Sequence, residues 1–213
     1  VYAVDEDDEG EIARLGHIVE SDVARCDAVI AGPAMGCGEA AGRVVDGLLA
    51  GIDDEIALIL DAAVLMTLSS RAEQVAARHS PALLTPHIGE MAAMLGWDAD
   101  QIEQNRCAAV RRAAERYGAI VVLKGSTSLI ADRDGSLFAY AGGGAGLATG
   151  GSGDVLAGIA AGLAARGAEP LEAALWAVWL HGEAGRRCAE QIGPIGFLAR
   201  ELLAHLPGLM RAV

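Results

Sequence analysis

The sequence predicts an α/β protein in which helices cover both faces of a mostly parallel sheet. Four short apolar runs rich in branched residues are the candidate strands, at 27–32, 56–61, 82–85 and 119–125. Such runs, bounded by turn residues, are typical of parallel strands buried on both faces. Helical patterns alternate with them, at 39–50, 72–78, 89–96 and 99–117. Repeated strand–helix units of this kind favour right-handed crossovers in a single sheet.

The pattern changes after residue 125. Two further strands, 127–131 and 137–140, are separated by a turn at Asp134-Gly135, and they predict a hairpin. The remainder is predicted to be helical, at 154–166, 171–190 and 197–206. No repeat or linker interrupts the chain, so we predict one domain over residues 1–213.

Composition excludes several classes of protein. The 213 residues are 53% hydrophobic but only 4% aromatic, and the net charge is −13. A chain this acidic lacks the basic stripe that nucleic acids and anionic membranes require. Six acidic residues fall in a short run near the amino end, which we interpret as a solvated segment: Asp5, Glu6, Asp7, Asp8, Glu9 and Glu11.

The cysteines and the opening residues bear on the cellular compartment. Four cysteines are far apart and form no metal-ligand pair, so we predict buried free thiols: Cys26, Cys37, Cys107 and Cys188. The chain opens without a basic stretch followed by an apolar one, which a secretory signal would show. We therefore predict a cytoplasmic protein.

The segment with the strongest chemical signal is 146–167. Gly151, Ser152 and Gly153 precede a predicted helix, so their backbone N–H groups can surround an anion at the helix N-terminus. Asp154 follows in the first turn. It either stabilises the helix as an ordinary acidic residue there, or accepts a proton from a hydroxyl that attacks a bound phosphoryl group.

Five segments together resemble the ADP- or ATP-dependent NAD(P)H-hydrate dehydratases, a ribokinase-like family with a three-layer αβα sandwich. The segments are AGPAMG (31–36), LTPHIGEMAAMLG (84–96), VVLKGS (121–126), ATGGSGDVLAG (148–158) and HGEAG (181–185). The resemblance implies an enzyme that repairs hydrated NADH or NADPH. It implies that a ring hydroxyl is phosphorylated from ADP or ATP, with Mg²⁺, and that phosphate then leaves. It also implies a homo-oligomer, tetrameric in related bacterial proteins.

The resemblance further implies roles for individual residues. Asp154 would be the catalytic base and would contact the substrate, together with Gly36 and His87. Glu90 would organise Mg²⁺, and His181 would lie on a helix near the nucleotide. The nucleotide would be bound by two segments: Lys124, Gly125, Ser126, Thr127 and Ser128, and Gly151, Ser152 and Gly153.

Without the resemblance, several of these residues have ordinary structural explanations. Lys124 is also compatible with a strand-end lysine that reaches solvent, His87 with a surface histidine, and Gly36 with a turn glycine. Two functional alternatives also stay open. One is a ribokinase-like kinase of a vitamin precursor or sugar, and the other is a nucleotide-binding protein without catalysis.

Departures from the family pattern concentrate on the substrate side. Ala34 and Met35 occupy positions where the family has glycine and leucine, so a Cβ intrudes at Ala34. The segment at 61–63 reads Asp-Ala-Ala and loses one of the family's two carboxylates. Nothing matches the family's amino-terminal strand and helix, so we expect a fragment, a missing companion segment, or a partner chain that replaces it.

Overall fold

The computed structural model describes residues 4–8, 10–15 and 21–211. Near the amino end, β1 (Asp5–Glu6) and β2 (Ile12–Arg14) pair as antiparallel strands. The main sheet has six strands that lie side by side in chain order. They are β3 (Ala28–Ala31), β4 (Ala57–Leu60), β5 (Leu83–Leu84), β6 (Ile120–Leu123), β7 (Ser128–Ala131) and β8 (Leu137–Tyr140).

The strand directions match the prediction from sequence. β3 to β6 are parallel, whereas β7 and β8 continue the sheet as an antiparallel hairpin. Helices fill the crossovers and the carboxyl-terminal third. They are α1 (Glu39–Gly51), a 3-10 helix (Ala62–Ser70), α2 (Ala72–Ala76), α3 (Ile88–Leu95), α4 (Ala99–Gln104), α5 (Arg106–Tyr117), α6 (Ser152–Ala164), α7 (Pro170–Gln191), α8 (Ala199–Leu202), a 3-10 turn (Leu203–His205) and α9 (Leu206–Leu209).

Successive side chains of a strand point to opposite faces of the sheet, so the core has one part on each face. In β6, Val121 and Leu123 belong to a core shared with α1, α3 and α5. Ile120 and Val122 face the other way, into a core shared with α6 and α7. Because successive strand residues point to opposite faces, every residue of β6 is buried. The α/β class and its three layers are confirmed.

Two segments that were predicted as single helices are each interrupted in the structure. The pattern at 99–117 divides into α4 and α5, because the Asn105 side chain donates to the Gln101 carbonyl and its backbone leaves helical geometry. The pattern at 197–206 becomes α8, a 3-10 turn and α9, since Pro207 has no N–H and must lie in the first turn of a new helix.

The amino-terminal acidic run is only partly the solvated segment that we predicted. Asp5 and Glu6 are exposed, but they form β1, and Asp5 pairs with Arg14 at 2.6 Å. The Asp7 carboxylate accepts a hydrogen bond from Arg43 of α1 at 2.5 Å. Glu9 lies outside the described residues. The ion pair between Asp7 and Arg43 therefore holds the β1–β2 hairpin against α1.

The prediction of four buried thiols is wrong for three of them. All four cysteines are free, but only Cys188 is buried, whereas Cys26, Cys37 and Cys107 are exposed. In α5 the core positions are taken by the apolar residues around Val110 and Ala113, which leaves Cys107 on the solvent side. Among the helices that the structure describes, none is both long and apolar enough to cross a membrane.

The carboxyl ends of β3 and β4 touch at Gly32. This glycine has φ +116° and is packed so closely that a Cβ there would overlap the Asp61 carbonyl. Asp61 N–H in turn donates to Ala31 O at 3.1 Å, the last bond between the two strands. Gly32 therefore sets the distance between two strand ends at the edge where α/β proteins bind their ligands.

We predict that Gly32→Ala lowers the free energy of unfolding by about 3–5 kcal/mol, since strain at positive φ adds to a collision with backbone. Gly38→Ala is the matched control, because Gly38 has φ +111° but nothing within 4 Å of the added Cβ. That control should lose only about 1–3 kcal/mol. Urea unfolding measures both, and equal losses would contradict the argument from close packing.

Candidate active site

The carboxyl edge of the parallel strands brings four polar side chains together around one ammonium group. Lys124, immediately after β6, places Nζ 2.8 Å from Asp61 Oδ1 and 3.6 Å from Glu90 Oε2. Thr85 Oγ1 donates to the same Asp61 oxygen at 2.7 Å. We call Asp61, Thr85, Glu90 and Lys124 the lysine cluster.

Because the carboxylates of the lysine cluster are buried, they depend strongly on the charge of Lys124. Asp61 is 1% exposed and Glu90 6%, and a buried carboxylate is tolerated only with an opposite charge and hydrogen-bond donors. Lys124 supplies the charge to both carboxylates, while its own backbone N–H donates to Pro86 O at 2.8 Å. The ammonium is therefore held in place and only its outer part remains open to a ligand.

His87 and Glu90 form a capping box at the start of α3. His87 Nδ1 accepts from the Gly89 and Glu90 N–H groups at 2.9 and 3.2 Å, so the ring proton lies on Nε2. Glu90 Oε2 accepts from His87 N–H at 2.7 Å, and Glu90 Oε1 lies 3.3 Å from His87 Nε2. The capping box holds the buried Glu90 against Lys124 and leaves the His87 side chain 58% exposed.

The glycine loop, residues 150–153, reaches the lysine cluster from the other side. Gly151 adopts φ +83° and α6 begins at Ser152. A Cβ at Gly153 would lie 3.4 Å from Lys124 Nζ and 3.8 Å from Asp61 Oδ2, so backbone and ammonium are neighbours. The first helical bond runs from Val155 N–H to Gly151 O, so the preceding N–H groups of Gly153 and Asp154 have no partner within the helix. The Ser152 N–H, which was predicted to face an anion, instead donates to Thr149 O at 3.2 Å.

Asp154 lies beside the glycine loop. It is exposed in the first turn of α6, and its Oδ2 lies 4.0 Å from the position of a Cβ on Gly151. The carboxylate thus lies over the glycine loop. A hydroxyl brought to an anion held by this loop would meet a proton acceptor on the same side.

His181 of α7 holds the glycine loop from beneath. Its Nε2 lies 2.9 Å from the Oγ of Ser152, which is 4% exposed. Burial lowers the pKa of His181 to about 4, against the opposing effect of the Ser152 hydrogen bond, and the positive charge of Lys124 lowers it further. The imidazole is therefore neutral at pH 7, so it adds no charge and fixes the position of Ser152.

The loop that contains Gly36, which was expected on the substrate side, lies beside the amino-terminal hairpin. A Cβ at Gly36 would run into the Glu11 carboxylate, so the amino-terminal hairpin covers this glycine. Ala34, where the family pattern has glycine, adopts φ +58°, and Ala62 next to Asp61 adopts φ +50°. Both alanines accept the left-handed conformation that glycine usually takes, at a cost of about 1–2 kcal/mol each.

Sequence reasoning identified most of these residues but not their contacts. The structure brings Lys124 beside Gly153 of the glycine loop, and it adds Glu90 as a neighbour that was not predicted. Ser126 is exposed and Thr127 half-buried in the turn between β6 and β7. Asp61 and Thr85 were given no role. Their positions in the sequence could have identified them, because each directly follows a buried strand and so lies at the same sheet edge as Lys124.

Comparison with known proteins identifies the family. The profile described as NAD(P)H-hydrate dehydratase matches residues 7–208. The chain belongs to the NAD(P)H-hydrate dehydratase family. It is 39% identical over 211 residues to the ADP-dependent (S)-NAD(P)H-hydrate dehydratase of Xanthomonas campestris pv. campestris, covering 99% of this chain and 70% of that protein. The resemblance drawn from the five sequence segments is confirmed.

Solved structures confirm the ribokinase-like fold. The ADP/ATP-dependent NAD(P)H-hydrate dehydratase of Bacillus subtilis, co-crystallised with ATP/Mg²⁺, superposes with a TM-score of 0.76 at 28% identity, over 91% of this chain and 71% of that one. A ribokinase-like superfamily protein of Enterococcus faecalis gives 0.79 at 27% identity, over 92% and 66% of the two chains.

We predict that His181 makes stability depend on pH. Because its folded pKa lies below the ordinary 6.5, the unfolded chain binds a proton between about pH 6.5 and 4 that the folded chain does not. This contribution is therefore complete above pH 6.5 and declines on acidification, by about 2 kcal/mol between pH 7 and pH 5.

The measurement is urea unfolding at both pH values for the wild type and His181→Gln, which keeps a nitrogen near the Nε2 position. His79→Gln, at an exposed histidine, is the matched control. The wild type and the control should lose more stability at pH 5 than His181→Gln does. The same pH dependence in all three proteins would contradict the assignment to His181.

Proposed function

We propose that this chain dehydrates hydrated NADH or NADPH, with ADP or ATP as phosphoryl donor. The observation that carries the proposal is the contact between the lysine cluster and the glycine loop, where Lys124 Nζ lies 3.4 Å from a Cβ position on Gly153. An ammonium and the free N–H groups of a helix N-terminus then face one point. The curated relative and the Bacillus subtilis structure, by their names, support the same reaction.

In the first step a ring hydroxyl of the hydrate attacks the terminal phosphorus of the nucleotide. Asp154 accepts the hydroxyl proton, a new P–O bond forms, and the bond to the leaving nucleotide breaks. The N–H groups of Gly153 and Asp154, with Lys124, stabilise the charge on the transferred group. In the second step phosphate leaves with the electrons of the ring C–O bond, and loss of a proton from the adjacent carbon restores the double bond.

The roles of the remaining residues are part of the proposal. His87 contacts the hydrated dinucleotide, which is supported by the exposed position of its ring on the sheet edge. A contact from Gly36, which the resemblance also implies, would require the Glu11 carboxylate to move away from this glycine. The segment 124–128, which follows β6 and ends on the first residue of β7, binds the nucleotide phosphates. The acting unit is the single domain predicted from the sequence, assembled as a homo-oligomer.

The side chains present are compatible with Mg²⁺ at the nucleotide phosphates. Mg²⁺ favours one or two carboxylates together with phosphate oxygens and water. Glu90, 3.6 Å from Lys124, supplies one such carboxylate, whereas Asp61 is 1% exposed and is already bonded to Lys124 and Thr85. In the described ranges 4–8, 10–15 and 21–211, no group of three or more acidic, histidine or cysteine side chains forms a metal cage. Mg²⁺ bound there would neutralise charge on the phosphates, with Glu90 as its protein contact.

The test combines chemically hydrated NADH with Mg²⁺ and either ADP or ATP. We expect the absorbance of reduced nicotinamide to return and phosphate to be released in equal amount. A small-alcohol kinase would form a stable phosphorylated product without releasing phosphate. Nucleotide binding without turnover would point to the non-catalytic alternative, and both outcomes would contradict the dehydratase.

We predict that Asp154→Asn lowers kcat by about 10²–10⁴-fold, since the amide cannot accept the hydroxyl proton. Nucleotide affinity should persist or increase, because a negative charge beside the phosphates is removed. Asp100→Asn, in the first turn of α4, is the matched control and should leave kcat unchanged. Steady-state kinetics and calorimetric titration give the two quantities, and a near wild-type kcat would remove Asp154 from the mechanism.

A further inference from the structure

Arg106, the first residue of α5, lies beneath the segment 124–128. Its Nη2 donates to Thr127 O at 2.9 Å and lies 3.4 Å from Lys124 O, while Nη1 pairs with Glu103 at 3.1 Å. One guanidinium thus binds both ends of the turn that joins β6 to β7. Its planar array of donors suits this arrangement better than the single ammonium of a lysine would.

These bonds set the direction of the backbone donors in the turn. In a trans peptide the C=O and the following N–H point in opposite directions. Because the Lys124 carbonyl points toward Arg106, the Gly125 N–H points away from it. The Ser128 N–H, which follows the Thr127 carbonyl, also points away from Arg106, but Ser128 begins β7 and lies opposite Tyr140 of β8, so the Gly125 N–H is the donor that the turn itself presents. Arg106 therefore determines which side of the turn presents this N–H group.

The glycine of this segment is required by the same contact. A Cβ at Gly125 would lie 2.5 Å from Arg106 Nη2 and 3.0 Å from its Cζ. Glycine at this position lets the guanidinium approach the backbone. The Arg106 side chain is 17% exposed, so its positive charge acts on the turn with little screening by water.

We infer that Arg106 is a positioning residue for nucleotide binding: it shapes the segment 124–128 and presents the Gly125 N–H to the phosphates. This inference depends on the proposed function, in which that segment binds the nucleotide. It assigns Arg106 no contact with the reacting atoms. Its loss should weaken the binding of ADP or ATP and leave the binding of the hydrate unchanged.

The experiment measures nucleotide affinity directly, without turnover. We expect Arg106→Gln, and Arg106→Lys as the variant that keeps the charge, to raise the calorimetric Kd for ADP or ATP about tenfold, equivalent to 1.4 kcal/mol. The KM for nucleotide should rise with it, whereas kcat at saturating nucleotide and the KM for hydrate stay within about twofold. Urea unfolding verifies that each variant is folded.

Arg112→Gln is the matched control, because Arg112 lies on the same helix and pairs with Glu115 on the surface. It removes the same charge and should leave the nucleotide Kd unchanged. An unchanged Kd in a folded Arg106 variant would overturn the inference, and so would an equal rise in the Arg112 variant. Because the Kd is measured without hydrate, failure of the dehydratase reaction is distinguishable from failure of this inference.

Discussion

The ion pair between Asp61 and Lys124 is the interaction on which the rest of the site depends. Its two residues directly follow β4 and β6, and Thr85 after β5 donates to the same carboxylate. Removing one member of a buried pair costs about 3–5 kcal/mol, because the other charge stays buried without compensation. The pair also fixes a long side chain that would otherwise lose rotamer freedom when a ligand binds. Three strand ends are thereby locked around one ammonium before any phosphate arrives.

The fold was predictable wherever the pattern was local. Apolar runs such as 119–125 gave the strands, and Asp134-Gly135 gave the hairpin, because burial and turn geometry act on neighbouring residues. The errors came from contacts that sequence spacing does not show. Asn105 divides a helix through its own side chain, and Arg43 draws the acidic residue Asp7 onto α1 from 36 positions away. Cys107 was misjudged because the pattern identified a helix but not the face it turns to solvent.

In the candidate site, too, the local features were predictable from the sequence and the long-range contacts were not. The glycine loop and Asp154 are contiguous, so they could be recognised in the sequence as one motif. Asp61 lies 63 positions from Lys124 and Ser152 lies 29 from His181, and such partners are brought together only by the sheet and its crossovers. Ala34 shows the limit of motif comparison. The sequence indicated a Cβ where glycine was expected, and the structure keeps the left-handed backbone there, with alanine at φ +58°.

A net charge of −13 is compatible with binding a polyphosphate because the two properties act over different distances. Surface charges farther apart than about 8 Å are largely screened at physiological salt, so acidic residues elsewhere contribute little at the site. A nucleic acid needs a basic surface along its length. A nucleotide needs only a few donors at one point. In the proposed function, Lys124 and the N-terminus of α6 provide them, and the neutral imidazole of His181 beside Ser152 adds no further charge. The acidic composition is therefore compatible with the nucleotide site that is proposed above.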